Sequence, residues 1–94
     1  MTSGNHKGPV AAALAARLRA ALAPTQLDVQ DDSHLHAGHA GAREGGHFTV
    51  RLRCACFAGL SRLSRHRLVY DSLGPLAALG VHALAIEARA PDEP

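Results

Sequence analysis

The chain has 94 residues and a formal net charge of +2, from ten Lys and Arg against eight Asp and Glu, with seven His besides. That is room for one small domain. Hydrophobic residues make up 47%, which excludes wholesale disorder, and aromatics only 3%, which excludes a stacking platform for single-stranded nucleic acid.

Residues 1–8 are small and polar and read as a disordered tail. They hold no apolar signal-peptide core, and no apolar run approaches the ~20 residues of a membrane span, so neither secretion nor a membrane is indicated. Pro9 suits the first helical position, where its missing N–H costs nothing. Val10, Leu14, Leu18 and Leu22 then recur at intervals of four, with Arg17 and Arg19 off that stripe. This pattern predicts an amphipathic helix that Pro24 ends. Leu27 and Val29 alternate with polar neighbours and predict a short strand, stopped at Asp31-Asp32-Ser33. Residues 34–46, with three His and four Gly, read as a long loop, and a loop of that length in so small a domain points to function.

The next segment has the clearest period. Phe48, Val50, Leu52, Cys54 and Cys56 fall on one face and His47, Thr49, Arg51, Arg53 and Ala55 on the other. Such alternation predicts a strand with its even positions in the core, broken at Gly59. Ser61 or Ser64 can cap a helix carrying Leu63 to Tyr70. Gly74-Pro75 interrupts it, a short helical turn over Leu76 to Leu79 follows, and Gly80 closes that turn. Val81 to Ala88 is dense enough for a last strand, and residues 92–94 read as a tail. The order is helix, two strands, helix, short helix, strand. The first two strands can pair antiparallel, the third follows a helical crossover and should lie parallel to a neighbour, and the helices should cover one face.

Four groupings could carry chemistry. His34, His36 and His39 share the long loop, and neutral imidazoles ligate zinc, iron, copper or nickel. His82 lies in an apolar strand, and could join them only where that strand starts beside the loop. Cys54 and Cys56 are spaced like metal ligands, but the strand period puts both in the core, as buried thiols of low reactivity. Two cysteines cannot build a disulfide framework, and a reducing cytoplasm is the expected compartment. From Arg43 to Arg67 the chain holds six arginines against Glu44 alone, a net +5. Arg51, Arg53, Arg62, Arg65 and Arg67 are therefore candidate phosphate contacts, against the plainer reading of a solvated basic face. No Gly-x-x-Gly loop joins two helices, so a standard KH clamp is absent. Nucleophile elbow and Walker loop are missing as well, and Asp31 and Asp32 read as turn residues, so no enzyme is expected.

Three blocks of residues resemble the BolA-like proteins. They are Val29-Gln30-Asp31-Asp32-Ser33-His34-Leu35-His36-Ala37-Gly38-His39 with Gly46-His47-Phe48-Thr49-Val50; Phe57 to Tyr70, containing Arg65-His66-Arg67-Leu68-Val69-Tyr70; and Val81-His82-Ala83-Leu84-Ala85-Ile86. The resemblance covers residues 9–91. It implies an α+β, KH-like fold ordered α-β-β-α-α-β, with a three-stranded mixed sheet. It also implies a non-enzymatic module that partners a monothiol glutaredoxin; the high Ala and Arg content, separately, fits a GC-rich bacterial genome. The pair shares a two-iron two-sulfur cluster, bound jointly with glutathione, in iron–sulfur cluster handling and iron regulation. Alone, the protein would carry no cluster and be a monomer or weak homodimer. By position, His82 corresponds to the family's C-terminal cluster ligand, and His36 to the loop ligand, with His39 the alternative. His-rich ligation would raise the cluster's potential and make its binding proton-sensitive. His66 is a family hallmark whose mid-helix position implies a structural or surface role. Some members are DNA-binding transcriptional regulators of stress response and morphology, which is the alternative function for the basic strand and helix. The chain departs from the family at Gly74-Pro75, where an acidic helical turn is common.

Overall fold

The computed structural model describes residues 8–33 and 46–94. His34, His36, His39 and Arg43 lie outside the described residues, as does the tail over residues 1–7. No described helix is long and apolar enough to cross a membrane.

Helix α1 runs Pro9–Leu22, with Pro9 at its start and the Ala12 N–H donating to the Gly8 carbonyl at 3.0 Å. Its buried residues are Ala11, Leu14, Ala15 and Leu18, whereas Val10 and Leu22 are only partly buried. The predicted stripe of four thus narrows to its middle. Each step of four residues overshoots a full turn by about 40°, so the ends of such a row rotate off the core-facing line. Ala11 and Ala15 are buried beside Leu14 and Leu18. Ala23 takes a left-handed φ of 49° and returns its N–H to the Arg19 carbonyl at 3.1 Å, which ends the helix just before Pro24.

Strands β1 (Gln26–Asp31) and β2 (Gly46–Arg53) pair antiparallel, from Gln26 opposite Arg53 to Asp31 opposite Phe48. Strand β3 (Val81–Arg89) lies parallel to β2, which makes β2 the central strand of a three-stranded mixed sheet. Helix α2 (Arg62–Leu73) makes the crossover between them. Ser61 is its cap, with Oγ accepting from the Ser64 N–H at 3.1 Å. Gly74, at φ 74°, closes it. The short helix expected after Gly74-Pro75 is a single 3-10 turn, Ala77–Leu79.

One face of the sheet supplies Val29, Phe48, Val50, Leu52 and Ile86 to the core, against Leu14 and Leu18 of α1 and Val69 and Leu73 of α2. Asp28, Gln30, Arg51 and Glu87 line the other face. Even positions of β2 do face the core, but the strand ends at Arg53. Cys54 is still extended and buried, and Ala55–Phe57 then curls into a 3-10 turn that drives Phe57 fully inside. The curl corrects the reading of Cys54 and Cys56 as two separate core thiols. In a strand, residues two apart stand about 6.7 Å apart; here their Cα atoms are 5.1 Å apart and the two sulfurs are joined as a disulfide. Residues 92–94, read as a tail, include Glu93, whose carboxylate accepts from the Ala90 N–H at 2.8 Å and pairs with Arg65.

Candidate functional site

Strand β3 reads as a plain apolar strand, yet His82 within it is exposed. The register explains why. Gly46 pairs with Val81, but the next residue, His47, pairs with Ala83, so His82 is the extra residue of a β-bulge. A bulge turns one side chain away from the alternation its neighbours obey. Val81 stays in the core at 3% exposure and Ile86 at 8%, while the His82 imidazole is turned out. Its ring centroid stands 5.3 Å from that of His47, the planes tilted by 53°.

His47 is a site residue the sequence reading left on a solvent face. It is half-buried and held by its backbone: its N–H donates to Ser33 Oγ at 3.0 Å and its carbonyl accepts from the Asp32 N–H at 2.7 Å. Those two bonds tie Asp32 and Ser33 to His47. The only signal in the sequence was that His47 directly follows the His- and Gly-rich segment. Gly46, beside it, donates its N–H to the Gly80 carbonyl at 2.9 Å, which brings the start of β2 against the start of β3. A Cβ at Gly46 would stand 2.5 Å from the Phe48 ring and 2.7 Å from Ser33 Oγ, so only glycine fits that approach. The structure therefore brings His82, His47, Ser33 and Gly46 to one end of the sheet; Ser33 and Gly46 are the described residues that flank, in sequence, the segment carrying His34, His36 and His39. Among the described residues no group of three or more His, Cys, Asp or Glu converges on a metal-sized site.

The basic residues separate into two sets. Arg51, on the outer sheet face, donates to Asp28 at 3.4 Å, Gln30 at 2.9 Å and Glu87 at 3.2 Å. Arg53 donates to the carbonyls of Ala90 and Glu93. Arg65 grips Glu93 with both guanidinium nitrogens, at 2.6 and 2.7 Å, and also donates to the carbonyls of Leu60 and Ala88. That grip, with help from the Ala90 N–H, lowers the Glu93 carboxyl from the ordinary value of 4.5 to about 2. Arg62 and Arg67 are exposed on α2. A groove of about 470 Å³ between α2 and β3 is lined by Arg62, Arg65, His66, Glu87 and Arg89 among others. His66 thus sits half-buried in a groove wall, away from His82.

The family model for BolA-like protein matches residues 18–93. BolA-like protein 1 of Mus musculus is 45% identical over 84 residues, covering 89% of this chain and 60% of that protein. An uncharacterized protein in the cobS 5′ region of Sinorhizobium sp is 43% identical over 81 residues, covering 83% of this chain and 87% of that one. SufE-like protein 1 of Arabidopsis thaliana is 41% identical over 83 residues, and there the chain spans only 22% of the relative's length. Among solved structures, the BolA domain of that SufE1 superposes with a TM-score of 0.78 at 40% identity, covering 90% of this chain and 95% of the domain. The solution structure of mouse BolA1 gives 0.74 at 43% identity, covering 97% of this chain and 73% of that one. With its α+β architecture and mixed sheet in agreement, the chain belongs to the BolA-like protein family.

Proposed function

We propose that this protein is a non-enzymatic partner of a monothiol glutaredoxin, with which it holds a shared two-iron two-sulfur cluster as cargo. The observation that carries the reading is His82. An imidazole turned outward by a bulge, at the sheet end where a His-rich segment begins and ends, is accessible to a metal presented by another molecule. The donor chemistry fits. Neutral imidazole is a good iron ligand, and one imidazole from β3 with one from the segment leaves the other positions to thiolates from glutaredoxin and glutathione. His36 is the first candidate for the second ligand and His39 the alternative. The cluster would supply electron-transfer or iron-donating chemistry; this chain's part is to ligate and orient it. The His47 N–H donating to Ser33 Oγ and the His47 carbonyl accepting from the Asp32 N–H fix His47, and with it the ground beside His82.

The test is to combine the protein with a monothiol glutaredoxin, glutathione, iron and sulfide, and to record visible absorption and circular dichroism. The expected result is a spectrum distinct from that of glutaredoxin alone, altered by His82→Ala and by one of His36→Ala or His39→Ala. A spectrum identical to glutaredoxin alone, with all three variants silent, overturns the reading. The exposure of Arg62 and Arg67 on α2 supports a second reading, contact with DNA phosphates through that helix.

A further inference from the structure

Cys54 and Cys56 lie on the far side of β2 from the His82 end, and neither has a part in the function proposed above. Three observations set them apart from packing residues. The 3-10 turn over Ala55–Phe57 brings their sulfurs together, with Cα atoms 5.1 Å apart, inside the range a disulfide spans. They are unequally accessible: Cys54 is 3% exposed in the core, while Cys56 is half-buried at its edge. And Cys54 Sγ has polar neighbours suited to two different states. It stands 3.1 Å from the Leu22 carbonyl oxygen at the end of α1, to which a thiol would donate, and it accepts from the Cys56 N–H at 3.2 Å, which favours a thiolate.

We infer that Cys54 and Cys56 form a reversible dithiol–disulfide couple that exchanges with a small-molecule disulfide such as oxidised glutathione, Cys56 attacking first and Cys54 resolving. The Cys56 thiolate attacks one sulfur of R–S–S–R. A Cys56–S–S–R bond forms, the original S–S bond breaks, and the departing RS⁻ takes up the proton that Cys56 gave. The Cys54 thiolate, steadied by the Cys56 N–H, then attacks Cys56 Sγ. The mixed disulfide breaks, and the second RS⁻ leaves and is protonated in turn. Two cysteine thiols are oxidised by two electrons, and R–S–S–R is reduced to two RSH. Excess RSH runs the sequence backwards. The order of attack follows from access, since a bulky disulfide reaches half-buried Cys56 more readily than Cys54 in the core. In the oxidised form Cys54 has no proton to donate, so the Leu22 carbonyl loses that bond. The two states therefore differ in how the end of α1 is tied to the end of β2.

The experiment uses the whole chain, without iron or glutaredoxin, so its outcome is independent of the cluster reading. The protein is incubated with oxidised and then reduced glutathione, quenched, unfolded, treated with a maleimide and weighed by mass spectrometry. The expected result is loss of both maleimide-reactive thiols and of two hydrogens, with no glutathione retained, and recovery of both thiols under reduced glutathione. Cys54→Ser should accumulate a mixed disulfide on Cys56, and Cys56→Ser should resist modification. Far-ultraviolet circular dichroism checks that the variants fold, and the wild-type result stands without them. A lasting glutathione adduct on the wild type, disulfide-linked dimers, or two free thiols throughout would each overturn the inference. Modification of Cys54 in Cys56→Ser as fast as of Cys56 in Cys54→Ser would overturn the order of attack.

Discussion

Glu93 and Arg65 are 28 positions apart and meet in a two-pronged ion pair. Its effect on stability has a definite sign. The folded-state carboxyl titrates at about 2 instead of 4.5, so the ionised form is favoured by folding. The stabilisation is fully present above the ordinary value and is lost as pH falls from about 4.5 to about 2. Glu93→Gln should therefore unfold at lower urea than the wild type at neutral pH, with the two curves converging as the pH is taken down through that window. A gap that persists at the acid end would mean that packing, not charge, holds the segment. The pair was not legible in the sequence. Arg65 belonged to a run of arginines and Glu93 to a polar tail, and nothing local joins them. His82 is the reverse case: its position was picked out by resemblance, but the bulge that exposes it lies in the register between two strands.

At the level of elements, the end of the sheet near His82 depends on Gly46. The space for a Cβ there is already taken by the Phe48 ring, itself buried, and by Ser33 Oγ. Gly46→Ala should cost about 1–3 kcal/mol by forcing these groups apart. Urea unfolding checks it; a change within about 0.5 kcal/mol would show that the site relaxes freely. The elements themselves were largely legible. Pro9, Pro24, Ser61 and Gly74 mark ends by local backbone chemistry, and the alternation of Phe48, Val50 and Leu52 marks the buried face of β2. The misreading came at Cys54, where burial kept to the even positions for one residue after the strand had stopped. Phe57, at an odd position, is fully buried because a 3-10 turn has a different period.

Across the whole molecule, the arginine-rich stretch is far less basic than its sequence. Acids from outside the stretch, Asp28, Glu87 and Glu93, come to Arg51 and Arg65. Arg53 is taken up by carbonyls of the C-terminal segment. If DNA is bound through Arg62 and Arg67, the log–log salt dependence should have a slope of about −2, near −0.9 per phosphate contact, where all five arginines would give about −4.5. Fluorescence anisotropy over a salt series measures it, and a slope near the larger value would show that the internal pairs open on binding. The element order, the pairing directions of the strands and the core-facing side of the sheet were determined by the sequence alone. Each of these follows from periodicity, caps and connection length, which act over neighbouring residues. Only the tertiary structure decided that His82 turns outward beside His47, that Cys54 and Cys56 meet, and which arginines are taken up by acids and carbonyls. The first and last of these depend on register and on contacts between segments far apart in the chain; the cysteines meet because a 3-10 turn replaces the strand after Arg53, a change of period that the continued burial of Cys54 hides.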